Sequence, residues 1–112
     1  DTDFIQISDN AVVTTQFVNN KAVDGIGNDI RIHVYDALFP ASALVEISDD
    51  CTNFVGVGTH VDTANVDIDI NGTGLTEVFC VRLTDQVAGG DPYPTLGFDL
   101  DAIEALNSVA VP

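Results

Sequence analysis

The sequence predicts an all-β fold, an antiparallel β-sandwich or jelly roll of about eight strands. Three observations support this. Apolar residues recur with a period of two along most of the 112 residues, no stretch carries a convincing helix, and turn-forming pairs break the alternation at short intervals.

Residues 4–8 (FIQIS) form the first candidate strand and residues 11–18 (AVVTTQFV) the second. Ile30, Ile32 and Val34 alternate with Arg31, His33 and Tyr35. Val45 and Ile47 alternate with Glu46 and Ser48, and residues 54–58 follow as a further strand. Val66, Ile68 and Ile70 alternate with Asp67, Asp69 and Asn71. Residues 76–84 and 97–106 complete the set. Such alternation is that of half-buried antiparallel strands. By composition 98–106 (FDLDAIEAL) also suits a helix, but the alternation of Phe98 and Leu100 with two aspartates favours a strand. Turns are expected at Asn19-Asn20, Asp24-Gly25, Asp49-Asp50, Gly72-Thr73-Gly74 and Gly89-Gly90-Asp91-Pro92. Asn71-Gly72-Thr73 matches a glycosylation acceptor, though Asn-Gly is also a strong turn signal. The longest irregular stretch, residues 85–97, surrounds Tyr93 and suits either a binding surface or a cover for a sheet edge.

The length fits one domain, residues 1–112. With 46% hydrophobic residues and a mean hydropathy of +0.23, the chain has the means to build a core. It opens at Asp1 rather than Met, as a processed protein or an excised module would. No segment has the roughly 18 consecutive apolar residues of a membrane span, so no membrane insertion is expected.

Eighteen Asp and Glu face three Lys and Arg, for a formal net charge of −15. Nucleic acid and anionic membrane both require a basic footprint, so neither is an expected partner. The same imbalance makes the chain repel itself unless salt or cations relieve it.

Two acidic segments point to a cation. Val23 to Asp29 (VDGIGND) is a glycine-punctuated loop whose carbonyls can turn inward. Gly97 to Asp101 (GFDLD) reads as a strand with Asp99 and Asp101 on one face. If the fold brings these together, Asp24, Asn28, Asp29, Asp99 and Asp101 form an oxygen-only site suited to calcium. A polar turn and a solvated strand face are the simpler alternative.

Cys51 and Cys80 are an even pair. In an oxidising setting they are expected to join, while two buried thiols remain the alternative. Within Phe79 to Leu83, Cys80 shares a face with Arg82 rather than with the apolar residues, which favours the bond.

No nucleophile elbow, phosphate-binding glycine loop, zinc spacing or His-Glu-x-x-His is present, so the chain is not expected to be an enzyme. His33 and His60 are isolated and read as satisfied or solvated strand histidines. Paired carboxylates could serve glycoside hydrolysis in principle, but the chain is small, lacks Trp and is 7% aromatic. Tyr35, Tyr93 and Phe39 are the candidate platforms for a sugar ring, and Tyr35 and Tyr93 the possible ligand contacts.

Val45 to Gly58 (VEISDDCTNFVGVG) resembles the strand–turn–strand of discoidin-like, galactose-binding-like jelly rolls. Cys80 to Asp85 (CVRLTD) and Gly97 to Glu104 (GFDLDAIE) look like two further strands of that family, and Val23 to Ile32 completes the order. The resemblance covers residues 10–106 and is to domains of bacterial secreted and cell-surface proteins. It implies a jelly roll with a structural calcium near Asp24–Asp29, and a binding or adhesion role that is often directed at glycans. Cys51 stands where the family turn usually has glycine, which suggests a turn pinned by Cys80. The family's lead-in segment before residues 4–8 is missing here. Leu106 to Pro112 looks like the hinge before a PEP-CTERM-type sorting tail, although any small-residue linker would look alike.

Together these readings lead us to expect a secreted, cell-surface, calcium-stabilised module that is not an enzyme. Two roles compete: a structural subunit that self-associates in a surface layer, filament or matrix, and a module that binds a surface glycan or other ligand. Residues 4–8, with no preceding strand, are the expected contact between subunits.

Overall fold

The computed structural model of the chain describes residues 5–7, 10–35, 41–86 and 97–111. These form β1 (Ile5–Ile7), β2 (Val12–Gln16), β3 (Asn20–Val23), β4 (Ile30–Val34), β5 (Ser42–Ser48), β6 (Val55–Val61), β7 (Val66–Ile68), β8 (Glu77–Val78), β9 (Cys80–Gln86), β10 (Phe98–Ala105) and β11 (Ser108–Ala110). Every pairing is antiparallel, in three sheets ordered β1-β10-β4-β7, β2-β9-β5-β6 and β11-β3-β8. No helix occurs among the described residues. The fold is the expected antiparallel sandwich, with more and shorter strands than the alternation suggested.

Period-two residues build the interior as expected. Ile30 and Ile32 of β4, Val45 and Ile47 of β5, Val66 and Ile68 of β7 and Leu83 of β9 meet in one buried cluster. Phe98 and Leu100 of β10 and Ala22 and Val78 of the small sheet join it, so all three sheets share one core. Burying an aliphatic side chain of this size contributes about 1.5–3 kcal/mol.

The structure departs from the sequence reading in four places. Asn20 lies in β3, not in a turn, and residues 108–110 pair with it as β11 instead of forming a free linker. Residues 76–84 are two strands. Phe79 marks the step between them: its N–H donates to the Ser48 carbonyl at 2.8 Å and its carbonyl accepts from the Phe17 N–H at 2.9 Å. This moves the chain from the small sheet to β9. Asp85 and Gln86 belong to β9, whereas residues 87–96, with Tyr93, lie outside the described residues, as does Phe39.

The fourth departure concerns β10. Leu100 faces Val34 and Ala102 faces His33, so Asp101 is the extra residue of a β-bulge. The bulge breaks the alternation: Asp99 is 5% exposed, buried with Phe98 and Leu100, while Asp101 is exposed. The two aspartates do not share a face.

Cys51 and Cys80 form a disulfide with a Cα–Cα distance of 5.3 Å. It ties the β5–β6 turn to the first residue of β9. Cys51 has φ of 61°, a left-handed conformation that favours glycine. The turn holds it there with bonds of its own. Ser48 Oγ accepts from the Asp50 and Cys51 N–H groups at 3.2 and 2.8 Å, and the Asp50 carboxylate accepts from the Thr52 and Asn53 N–H groups at 2.9 and 2.8 Å. A disulfide suits an oxidising compartment. No helix of the described residues is long and apolar enough to cross a membrane.

The bridged cysteines lie 29 residues apart, for which chain entropy gives a stabilisation of about 3–4 kcal/mol. The double variant Cys51→Ala/Cys80→Ala should lose that amount in urea unfolding while keeping the fold. An unchanged midpoint would show that the bond constrains nothing.

Candidate metal centre and the Asp29 latch

Asp29 is the last residue before β4, and it is fully buried. Its Oδ1 accepts from the Gly25 N–H at 2.8 Å and from Asn107 Nδ2 at 2.7 Å, and its Oδ2 accepts from the Ile70 N–H at 2.8 Å. Its own N–H donates to the Ile68 carbonyl at 2.8 Å, and its carbonyl accepts from the Leu106 N–H at 2.7 Å. One residue therefore ties together the 24–29 loop, the end of β7 and the β10–β11 turn.

Asn107 completes this latch. Its Nδ2 also lies 3.4 Å from the Ile26 carbonyl and 3.3 Å from that of Asn28. The loop carbonyls do turn inward, but onto an amide group. Gly25 is needed for this approach, because a Cβ there would sit 2.7 Å from Asn107 Cγ. Burial works against charge on Asp29. The bonds from Gly25, Ile70 and Asn107, with a contribution from the Asp69 side chain, outweigh it and hold the carboxyl below the usual range.

Two exposed carboxylates stand beside the latch. Asp24, Asp29 and Asp69 each offer an oxygen atom, and these lie within 4.8 Å of one another. Asp24 is pushed above its ordinary pKa, first by partial desolvation and then by the charges of Asp29 and Asp69. No basic side chain relieves the three. Lys21 pairs with Glu77 at 2.7 Å, Arg31 with Asp67 at 2.8 Å and Arg82 with Glu46 at 3.0 Å, which accounts for all three Lys and Arg of the chain.

Of the five residues proposed as ligands from the sequence, the structure brings Asp24 and Asp29 together and separates Asp99 and Asp101 from them. The register of β10 is the reason. It runs antiparallel to β4, so Leu106 meets Asp29 whereas the Asp99 carbonyl meets the Tyr35 N–H. Asp29 and Tyr35 are six positions apart along β4, roughly 20 Å at strand spacing. Asp99 belongs to a second junction, where its N–H donates to Asp62 Oδ2 at 3.0 Å and Asp62 Oδ1 accepts from the Ala41 N–H at 2.9 Å. Asn28 is exposed on the loop, and its carbonyl faces Asn107.

The sequence reading missed Asp69 as a third acid and Asn107 as the latch. Asp69 sat in an alternating strand and read as solvent face. It reaches the loop because β7 pairs with β4, Ile68 opposite Ile30. Of the possible ligand contacts, Tyr35 is exposed just past β4, and Tyr93 lies outside the described residues. The histidines are satisfied as expected: His33 Nε2 lies 2.9 Å from Glu104 Oε1, and His60 Nε2 lies 3.0 Å from the Val57 carbonyl.

Oxygen-only donors of this kind could hold a hard cation, and exposed acidic groups are also common without one. Three carboxylates supply oxygen, but three of the roughly four lone-pair positions on the Asp29 carboxylate are already used by N–H donors. Calcium takes six to eight oxygens, so water would fill most of the shell. No family model, no curated protein and no solved structure matches the chain.

Asp29→Asn should cost about 3 kcal/mol, since the new amide would face an N–H group and leave a buried donor unpaired. Asn107→Ala should cost about 1–2 kcal/mol by the same reasoning. Chemical denaturation measures both, and a cost within experimental error for Asp29→Asn would refute the latch.

Acid should unfold the protein with a defined sign. Asp29 is held low as described. Asp50 is held low by hydrogen bonds from Asn53, Thr52 and Ser48, and Asp67 mainly by its bond from Arg31. Carboxyls with lowered folded pKa contribute stability that is complete above the unfolded value of about 3.9 and is lost as pH falls through the folded values. Melting temperature should therefore fall steeply below about pH 4, and Asp29→Asn should flatten that fall. A variant with the full wild-type acid slope would contradict the assignment.

Proposed function

We propose that this chain is a non-enzymatic module of the extracellular surface, stabilised by calcium, that serves as a structural subunit in a layer, filament or matrix. Its main support is the Asp24–Asp29–Asp69 cluster in a chain whose every Lys and Arg is already paired. A cation there relieves the repulsion from Asp29 and Asp69 that adds to desolvation in raising the Asp24 pKa. It also joins the 24–29 loop to the end of β7, from outside the latch. Cations on other exposed acids would lower the repulsion between copies that carry a net charge of −15 each. The disulfide agrees with export to an oxidising environment. The discoidin-like jelly roll remains the family we propose, with Cys51 in the left-handed turn position that such a family fills with glycine.

A ligand-binding module is the second reading. Tyr35 supports it, as a ring 37% exposed at the end of β4 opposite the latch. A glycan array with the monomer distinguishes the two.

Millimolar calcium should raise the melting temperature by a few degrees, the size expected for a weak site. Asp24→Asn and Asp69→Asn should each abolish most of that gain, whereas Asp99→Asn and Asp101→Asn should leave it. Calorimetry with calcium or chelator is the measurement. Equal melting in both conditions, or a gain untouched by Asp69→Asn, would refute the site.

A further inference from the structure

The sheet edges are guarded unequally. Among the described residues β7 and β11 have three residues and β8 has two, too short to offer much main chain, and β1 is described over Ile5–Ile7 alone. β6 is longer, but a bulge interrupts its register where Gly58 has φ of 104°. His60 also occupies the Val57 carbonyl there. β2 has none of these guards. It is an edge strand of five residues without bulge, proline or glycine. The surrounding residues 11–18 (AVVTTQFV) contain no charge, in a chain of net charge −15.

The register shows which main-chain groups point outward. The Asp85 N–H donates to the Ala11 carbonyl and the Phe17 N–H to the Phe79 carbonyl. These pairs continue the register of Val12 with Thr84 and Gln16 with Cys80. Antiparallel hydrogen bonding alternates, so residues 11, 13, 15 and 17 bond to β9, while Val12, Thr14 and Gln16 turn their N–H and carbonyl groups away. Among the described residues no strand lies beyond them.

We propose that β2 is the seam by which a second copy of this chain joins the β2-β9-β5-β6 sheet, the two β2 strands running antiparallel about a two-fold axis at Thr14. This rests on the assembly reading above and names its contact surface, in place of the first strand expected from the sequence. The register is self-complementary. Thr14 meets its own counterpart and Val12 meets the partner's Gln16, so each outward-facing residue opposes another. Such pairing forms up to about six main-chain hydrogen bonds, two for each opposed pair. The assembly reading supplies a second copy as the occupant, and charge selects β2 as the place where it docks. The seam is a place where two strongly anionic chains can reach hydrogen-bonding distance without opposing carboxylates. The nearest charged neighbour, Arg82 opposite Thr14, is already neutralised by Glu46.

Analytical ultracentrifugation of the disulfide-intact chain, in calcium and enough salt to screen its charge, tests the seam. Wild type should associate reversibly. Thr14→Pro removes an outward N–H and leaves the bonds to β9 in place, so it should weaken association at least about tenfold by loss of the two central hydrogen bonds. Thr14→Cys should form an interchain disulfide on mild oxidation, and Val12→Cys, which faces the partner's Gln16, should not. The cysteine pair keeps the test decisive even where Thr14→Pro fails to fold. Association with neither an effect of a folded Thr14→Pro nor a Thr14→Cys crosslink would overturn the seam and leave the assembly reading standing. A chain that stays monomeric at millimolar concentration in calcium would overturn both.

Discussion

The structure depends on one buried carboxylate. Asp29 accepts hydrogen bonds from three separate segments through its side chain and joins two of them again through its main chain. The small β11-β3-β8 sheet is short on every strand and cannot stand alone. It is attached to the larger β1-β10-β4-β7 sheet at this point: β3 runs into the 24–29 loop, and β10 runs into β11 through Leu106 and Asn107. An ionised carboxylate suits the task because it accepts several N–H groups at once, with bonds stronger than those to a neutral acceptor.

The same device recurs and explains how so acidic a chain folds. Asp50 gathers the N–H groups of the β5–β6 turn, Asp62 joins Ala41 to Asp99, and Asp85 accepts from the Asn10 N–H. Carboxylates here satisfy main-chain donors at strand ends and turns, including buried ones at Ile70 and Asp99 that would otherwise be unpaired. These acids belong to the architecture, and they are bonded by N–H groups rather than by basic side chains, which are few and held on the sheet faces. Among the described residues Asp24, Asp49, Asp69 and Asp101 are exposed, and such acids give the surface its repulsion and its capacity for cations. Self-association of the kind proposed would need a segment free of charge, and residues 11–18 around β2 are one.

Strand identity was legible because burial on one face enforces alternation, as at Ile30 and Ile32 or Val45 and Ile47. β3 and β11 were not legible, because Asn20 and Lys21 carry turn and surface chemistry and three residues are too few for a period. Asp101 escaped notice since a bulge looks like ordinary alternation until its partner strand is known. For the site, the loop 24–29 was legible from its glycines and acids. Its partners were not, because register decides them. The antiparallel run of β10 exchanged Asp99 for Asn107, and the pairing of β7 with β4 added Asp69. Cys51 was legible as a bonded cysteine, and its left-handed backbone accounts for the turn that the sequence suggested.

Native-state hydrogen exchange at the amides of Gly25, Ile70 and Leu106 tests the latch most directly. These amides lie on separate segments and share no strand ladder; each bonds to Asp29. If Asp29 holds the segments as one unit, the three amides open together with one free energy, and Asp29→Asn lowers all three by the same amount. Gly25 exchanging freely while Ile70 and Leu106 keep their protection would contradict the account.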